Sequence, residues 1–268
     1  MQNKARGVAV LATVTALFAG CGDGEADQIV RAPRDAIPQS VLVDAADVVE
    51  GLALGKQRST RHLESFRVGE RLVSVAQYRQ CVDAGFCTPP SANTGFCAAT
   101  PAARAPLDGP TYTSGLDHVP VTCTAMKQAA RYCEWVGARL PTPAQWQLAA
   151  RGTKVRRFAW GDSPPDCSRH WRRAFSSGAG ACCHAECAPF GASDPVRVGG
   201  ASPPGVQEVL ATHGELVRGD PKAIWPTCRQ SARGCVVKGT LPGAIDVFVP
   251  AEALTLPAGF RCVWREPK

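Results

Sequence analysis

Thirteen cysteines in 268 residues restrict this chain more than any other feature of its sequence. Setting Cys21 aside leaves twelve, at positions 81, 87, 97, 123, 133, 167, 182, 183, 187, 228, 235 and 262. A cytosolic protein keeps its thiols reduced, whereas an exported chain oxidises them in pairs. The even number therefore reads as disulfides, with a connectivity that counting leaves open. The competing use is a zinc site built from Cys182, Cys183, His184 and Cys187. Adjacent cysteines close a tetrahedron poorly, and no two separated CxxC knuckles occur, so disulfides are the expected use.

The start of the chain supplies the compartment. Lys4 and Arg6 precede an apolar stretch from Val8 to Ala19, which is too short to span a bilayer and suits a signal-peptide core. It ends in Leu17-Phe18-Ala19-Gly20-Cys21, which resembles the lipobox of bacterial lipoproteins. That resemblance implies a signal peptide over 1–20, an acylated Cys21 and a partner in the membrane through the lipid anchor. Gly22 rather than Asp follows the cysteine, which points to the outer membrane of a bacterial cell envelope. Loss of Lys4 and Arg6 lowers the formal charge from +7 to +5. No Lys/Arg block of five is present, and the densest basic cluster (Lys154, Arg156, Arg157, Arg169, Arg172, Arg173) reads as a solvated loop, so no nucleic-acid partner is expected. An apolar fraction of 45% excludes a disordered chain.

Residues 21–45 are polar and weakly periodic, with Pro33 and Pro38, and read as a tether ahead of a domain over 46–268. Three helices are predicted. Ser74 caps the first, with Val75, Tyr78, Cys81 and Val82 on one face and Gly85 as the stop. Thr124 caps the second, with Met126, Ala129, Ala130, Cys133 and Val136 at helical spacing before Gly137. Thr142 caps the third, with Pro143 at its first position and Gln145 completing a capping box. Beyond residue 153 helix signals fade into short strands, at 196–198, 215–217, 235–238, 245–249 and 260–264. Few helices, short strands and long loops describe an α+β domain that needs covalent staples.

The order of these pieces resembles the sulfatase-modifying-factor family, the formylglycine-generating enzymes and their relatives. Val49-Glu50-Gly51 with Leu54-Gly55 is similar to its opening Gly-Gly-x-Phe-x-Met-Gly strand, and Val73-Ser74-Val75-Ala76-Gln77-Tyr78 to its first helix. Pro120-Val121 and Ala129 to Trp135 match its Pro-Val and Tyr-Cys-x-Trp stretch. The most specific run is Gly137 to Trp146 with Ala149-Ala150-Arg151-Gly152, followed by Ala159-Trp160-Gly161-Asp162 and closed by Gly259-Phe260-Arg261-Cys262. The resemblance implies a C-type-lectin-like variant fold, loop-rich and disulfide-stapled. It also implies a disulfide between Cys133 and Cys262, since the cysteines of those two motifs pair.

The candidate site is where the chain departs from the family. Formylglycine-generating enzymes hold Cu(I) and engage a substrate thiol through two cysteines that follow an Arg-Gly-Gly-Ser stretch. Lys238-Gly239-Thr240-Leu241 occupies that stretch here, an ungapped reading puts Ala244 and Val249 at the two cysteine positions, and no Cys lies between 236 and 261. Cu(I) needs thiolates, which alanine and valine do not supply. Cys228 and Cys235 lie upstream and read as a disulfide. In the family's Gly-Asn-Val-Trp-Glu-Trp run, which contributes to a calcium site, only Glu215 remains; Thr212, Gly214 and Leu216 replace the Asn and both Trp residues. Calcium is the one cofactor the resemblance leaves open, with Glu215 as a remnant ligand. The histidines at 62, 118, 170, 184 and 213 show no spacing for the triad of the iron-dependent branch of this fold. No catalytic residue is assigned. The expected function is a lipoprotein that keeps the scaffold as a binding or structural module, for a protein or carbohydrate ligand. The alternative is an active, copper-dependent formylglycine-generating oxidase.

Overall fold

Strand-forming residues recur between 40 and 69 and again between 215 and 265, and these distant segments meet to make small sheets. The computed structural model describes residues 32–51, 58–90, 97, 110–154, 156, 162, 205–206, 214–225, 228–229, 234–238, 247–250 and 258–266. A single 3-10 turn (Arg34–Ala36) precedes β1 (Ser40–Val43), β2 (Ala46–Gly51), β3 (Arg58–Leu63) and β4 (Phe66–Gly69). Helices α1 (Val75–Asp83), α2 (Met126–Trp135) and α3 (Pro143–Arg151) follow. Then come β5 (Glu215–Val217), β6 (Cys235–Lys238), β7 (Val247–Pro250) and β8 (Val263–Arg265). The strands form three antiparallel sheets, in the orders β1-β4-β8, β2-β3 and β5-β6-β7.

The segment read as a tether is thus structured from the 3-10 turn onward. Ser40 to Val43 pair with Gly69 to Phe66, and the carbonyl of buried Ala36 accepts a hydrogen bond from the Tyr132 hydroxyl at 2.6 Å. The prolines that suggested a spacer precede β1, where they interrupt no ladder.

Two of the helix starts are as expected. Ser74 and Thr142 each accept from the backbone N–H three residues on, at 3.2 Å, while Gln77 and Gln145 reach back to the cap's own N–H. Pro143 opens α3, and Gly152 closes it at φ 72°. The second helix differs by one residue. Its cap is Ala125, whose N–H donates to the Gln128 side chain at 2.9 Å, and the Thr124 hydroxyl is buried without a partner among the described residues.

Buried aromatic residues join the helices to the closing segment 258–266. Tyr78 and Tyr132 stack at 5.8 Å, and Phe260 meets both rings edge-on at 6.3 and 5.6 Å. Burial pushes both phenol pKa values well up. A second cluster holds Phe66, Val68, Trp146, Val217, Val237 and Val263. Four disulfides lie among the described residues: Cys81–Cys87, Cys97–Cys123, Cys133–Cys262 and Cys228–Cys235. The third is the pairing implied by the resemblance.

Candidate functional site

The β5-β6-β7 sheet leads to the stretch where the resemblance places the chemistry. β6 begins after Gly234, at φ +87°, where a Cβ would stand 2.6 Å from the Val217 carbonyl oxygen and 2.8 Å from Met126 Cε, so only glycine fits. Cys228 and Cys235 are bonded to each other and fully buried. The two thiols closest in sequence to that stretch therefore offer no free thiolate. Val249 lies on β7 opposite Val236, while Leu241 and Ala244 lie outside the described residues, as do Cys21, Thr212, His213 and the Cys182–Cys187 cluster. Among the described residues no group of three or more His, Cys, Asp or Glu side chains could hold a metal ion.

Glu215 sits at the start of β5 with no exposure to solvent. Its Oε2 accepts from Arg261 Nε at 2.7 Å and from Trp146 Nε1 at 2.8 Å, and its Oε1 accepts from Arg261 Nη2 at 3.0 Å. Arg261 Nη1 also donates to the carbonyls of Gly69 and Glu70, at 3.1 and 3.2 Å. The carboxylate offered by the resemblance as a calcium ligand is engaged on both oxygens by a cation of the chain itself. A calcium ion there would have to displace a buried guanidinium, so the residues present do not fit the metal. Leu216, at a tryptophan position of the family's run, is buried in the core beside Phe260 and Cys262.

A second ionic group was not read from the sequence. Glu50 on β2 is fully buried, and its Oε1 accepts from Arg61 Nη2 at 2.6 Å. Arg61 Nη1 donates to Asp220 Oδ2 at 2.7 Å, in the loop that follows β5. The other Glu50 oxygen, Oε2, and Arg61 Nε are buried without partners among the described residues. Burial raises the Glu50 pKa above its usual value; Arg61 opposes the shift, and the Asp220 charge adds to it. Helix α3 braces the next residue: Gln147 Nε2 and Arg151 Nη1 both donate to the Gly51 carbonyl, at 2.7 and 2.9 Å, and the Gly51 N–H donates to Gln147 Oε1 at 3.2 Å. The available signal was a lone acid inside the apolar run Val48-Val49-Glu50-Gly51. Its partner Arg61 lies on the paired strand β3, but Asp220, which completes the group, is 159 residues from Arg61 and cannot be named by pattern. His62 pairs with Asp47 at 2.9 Å on an exposed surface, and His118 is exposed as well.

The profile of the sulfatase-modifying factor enzyme 1-like domain family matches residues 25–210. Similar curated proteins include the formylglycine-generating enzyme of Mycobacterium tuberculosis, 49% identical over 43 residues, which are 16% of this chain and 14% of that one. Another is the inactive C-alpha-formylglycine-generating enzyme 2 of Mus musculus, 37% identical over 62 residues, or 22% of this chain and 20% of that one. These matches span less than a quarter of either relative. Among solved structures, CarF superposes with a TM-score of 0.55 at 17% identity, over 87% of this chain and all of that one. PvdO from Pseudomonas aeruginosa gives 0.50 at 15% identity, over 88% and 97%. Treponema denticola variable protein 1 gives 0.52 at 16%, over 85% and 95%. At such identities these three establish the fold, which is the loop-rich α+β architecture expected from the resemblance.

Proposed function

Because the chain belongs to the sulfatase-modifying factor enzyme 1-like family, we propose that it is an exported lipoprotein whose formylglycine-generating-enzyme-like domain is a non-catalytic binding or structural module. The observation that carries this reading is the Cys228–Cys235 bond, together with the lack of any cysteine between 236 and 261. The two thiolates that a copper-dependent oxidation of a substrate cysteine requires have no source at the matching positions. Family membership does not bring the activity with it, since one relative, in mouse, is named as inactive.

Incubating the purified domain with a cysteine-containing sulfatase peptide, with and without copper, tests the reading by mass spectrometry. No formylglycine is expected in either arm. Peptide formylglycine that disappears in Cys228→Ser or Cys235→Ser overturns the proposal in favour of an active oxidase.

The lipid anchor is proposed on the Leu17 to Cys21 stretch. Each buried acyl CH₂ adds about 0.8 kcal/mol to membrane affinity, so two or more chains anchor firmly. Metabolic labelling with a fatty acid should mark the wild type and leave Cys21→Ala unlabelled. Equal label in both removes the anchor, and with it the outer-membrane placement.

A further inference from the structure

Glu50 on β2 places an acid in a closed interior position. We propose that Glu50, Arg61 and Asp220 form a proton-operated clasp, which docks the 218–225 loop onto the β2–β3 hairpin more firmly as pH falls. The hairpin and the loop meet through one guanidinium, with Glu50 at 2.6 Å and Asp220 at 2.7 Å, although Arg61 and Asp220 are 159 residues apart in sequence. When both acids are ionised, two negative charges share one cation in a site with little water, and each weakens the hold of the other. A proton on Glu50 removes that repulsion and leaves Arg61 to Asp220 alone. Oε1 of the neutral acid still accepts from Arg61, so the bond within the hairpin survives while the ion pair to the loop strengthens.

The groups around Glu50 leave it as the element that switches. Arg61 faces it from β3, and Asp220 from the loop, where Oδ1 accepts from the Lys222 N–H at 2.9 Å. From α3 come Arg151, which stays charged, and Gln147, which does not titrate; both are bonded to the neighbouring Gly51. Desolvation moves the Glu50 pKa up from its ordinary value. The Asp220 charge raises the Glu50 pKa, so the carboxyl binds its proton more tightly with the loop docked than with it released. Docking therefore strengthens as pH falls through the folded pKa, and the gain is lost as pH rises through it. The Asp220 N–H donates to the Cys228 carbonyl at 3.2 Å, and Cys228 is bonded to Cys235 at the start of β6, so the clasp is tied to that strand. The device operates whether or not the domain is catalytic.

Amide hydrogen exchange on the full chain at a series of pH values, corrected for the intrinsic rate, tests the clasp. Protection of 218–225 in the wild type should rise as pH falls through the Glu50 midpoint, by at most about tenfold per pH unit for a single proton. Glu50→Gln, a mimic of the protonated acid, should be protected at every pH with the dependence gone. The same pH dependence in that variant, or protection that falls towards acid in the wild type, overturns the proposal. If Glu50→Gln fails to fold, carboxyl-carbon NMR of Glu50 in wild type and in Asp220→Asn decides. Asp220→Asn must lower the Glu50 midpoint, and an unmoved midpoint rejects the clasp.

Discussion

Glu215 and Arg261 are 0% and 1% exposed, which makes their pair costly to break. Removing one partner strands the other charge in the interior, at a typical cost of about 3–5 kcal/mol. Glu215→Gln keeps the shape and removes the charge. It should lower unfolding stability in urea by about that amount, with an unchanged m-value. A loss below about 1 kcal/mol would mean that water or another group takes over the guanidinium. The residue identities in this pair belong to two motifs visible in the sequence, but their roles were not. Nothing local distinguishes a carboxylate aimed at a metal from one aimed at an arginine 46 residues away. Glu50 posed the same difficulty.

At the scale of elements, the helices were legible because their signals are local. Ser74 with Gln77, and Thr142 with Pro143 and Gln145, carry cap and box within four residues. The second helix was legible in its apolar face and off by one at its start, because Thr124 turns its hydroxyl to no helical N–H and Ala125 takes the cap. Gln128 already supplies half of a capping box. Ala125→Ser should complete it and raise stability by about 0.5–1 kcal/mol, read as a higher denaturation midpoint. An unchanged midpoint would show that the cap geometry excludes the hydroxyl. Strand β1 escaped the sequence reading for the opposite reason. Among the described residues it pairs with β4 alone, and a four-residue strand next to prolines has no periodicity long enough to separate it from a linker.

Across the whole molecule the dominant constraint is covalent. Cys133 and Cys262 are 129 residues apart in sequence, against 7 for Cys228 and Cys235. In the chain-entropy account the longer closure stabilises by about 4–5 kcal/mol and the shorter by about 2–3 kcal/mol. Replacing both Cys133 and Cys262 with Ala should therefore cost the larger amount in equilibrium unfolding. The reverse ranking would place the effect in strain or in residual structure of the unfolded chain.

The segment 258–266 touches nearly every other part described. Val73 donates to the Phe260 carbonyl, Gly69 to that of Cys262 and Leu216 to that of Gly259, while Arg139 exchanges two bonds with Val263. Translated into the timing of synthesis, a growing chain that has made α1, α2 and α3 still lacks the ring, the charge and the thiol around which they assemble. Folding is thus postponed until residues 258–266 have been made. The three helices wait meanwhile with apolar faces uncovered, and holdase chaperones have a long window in which to bind them.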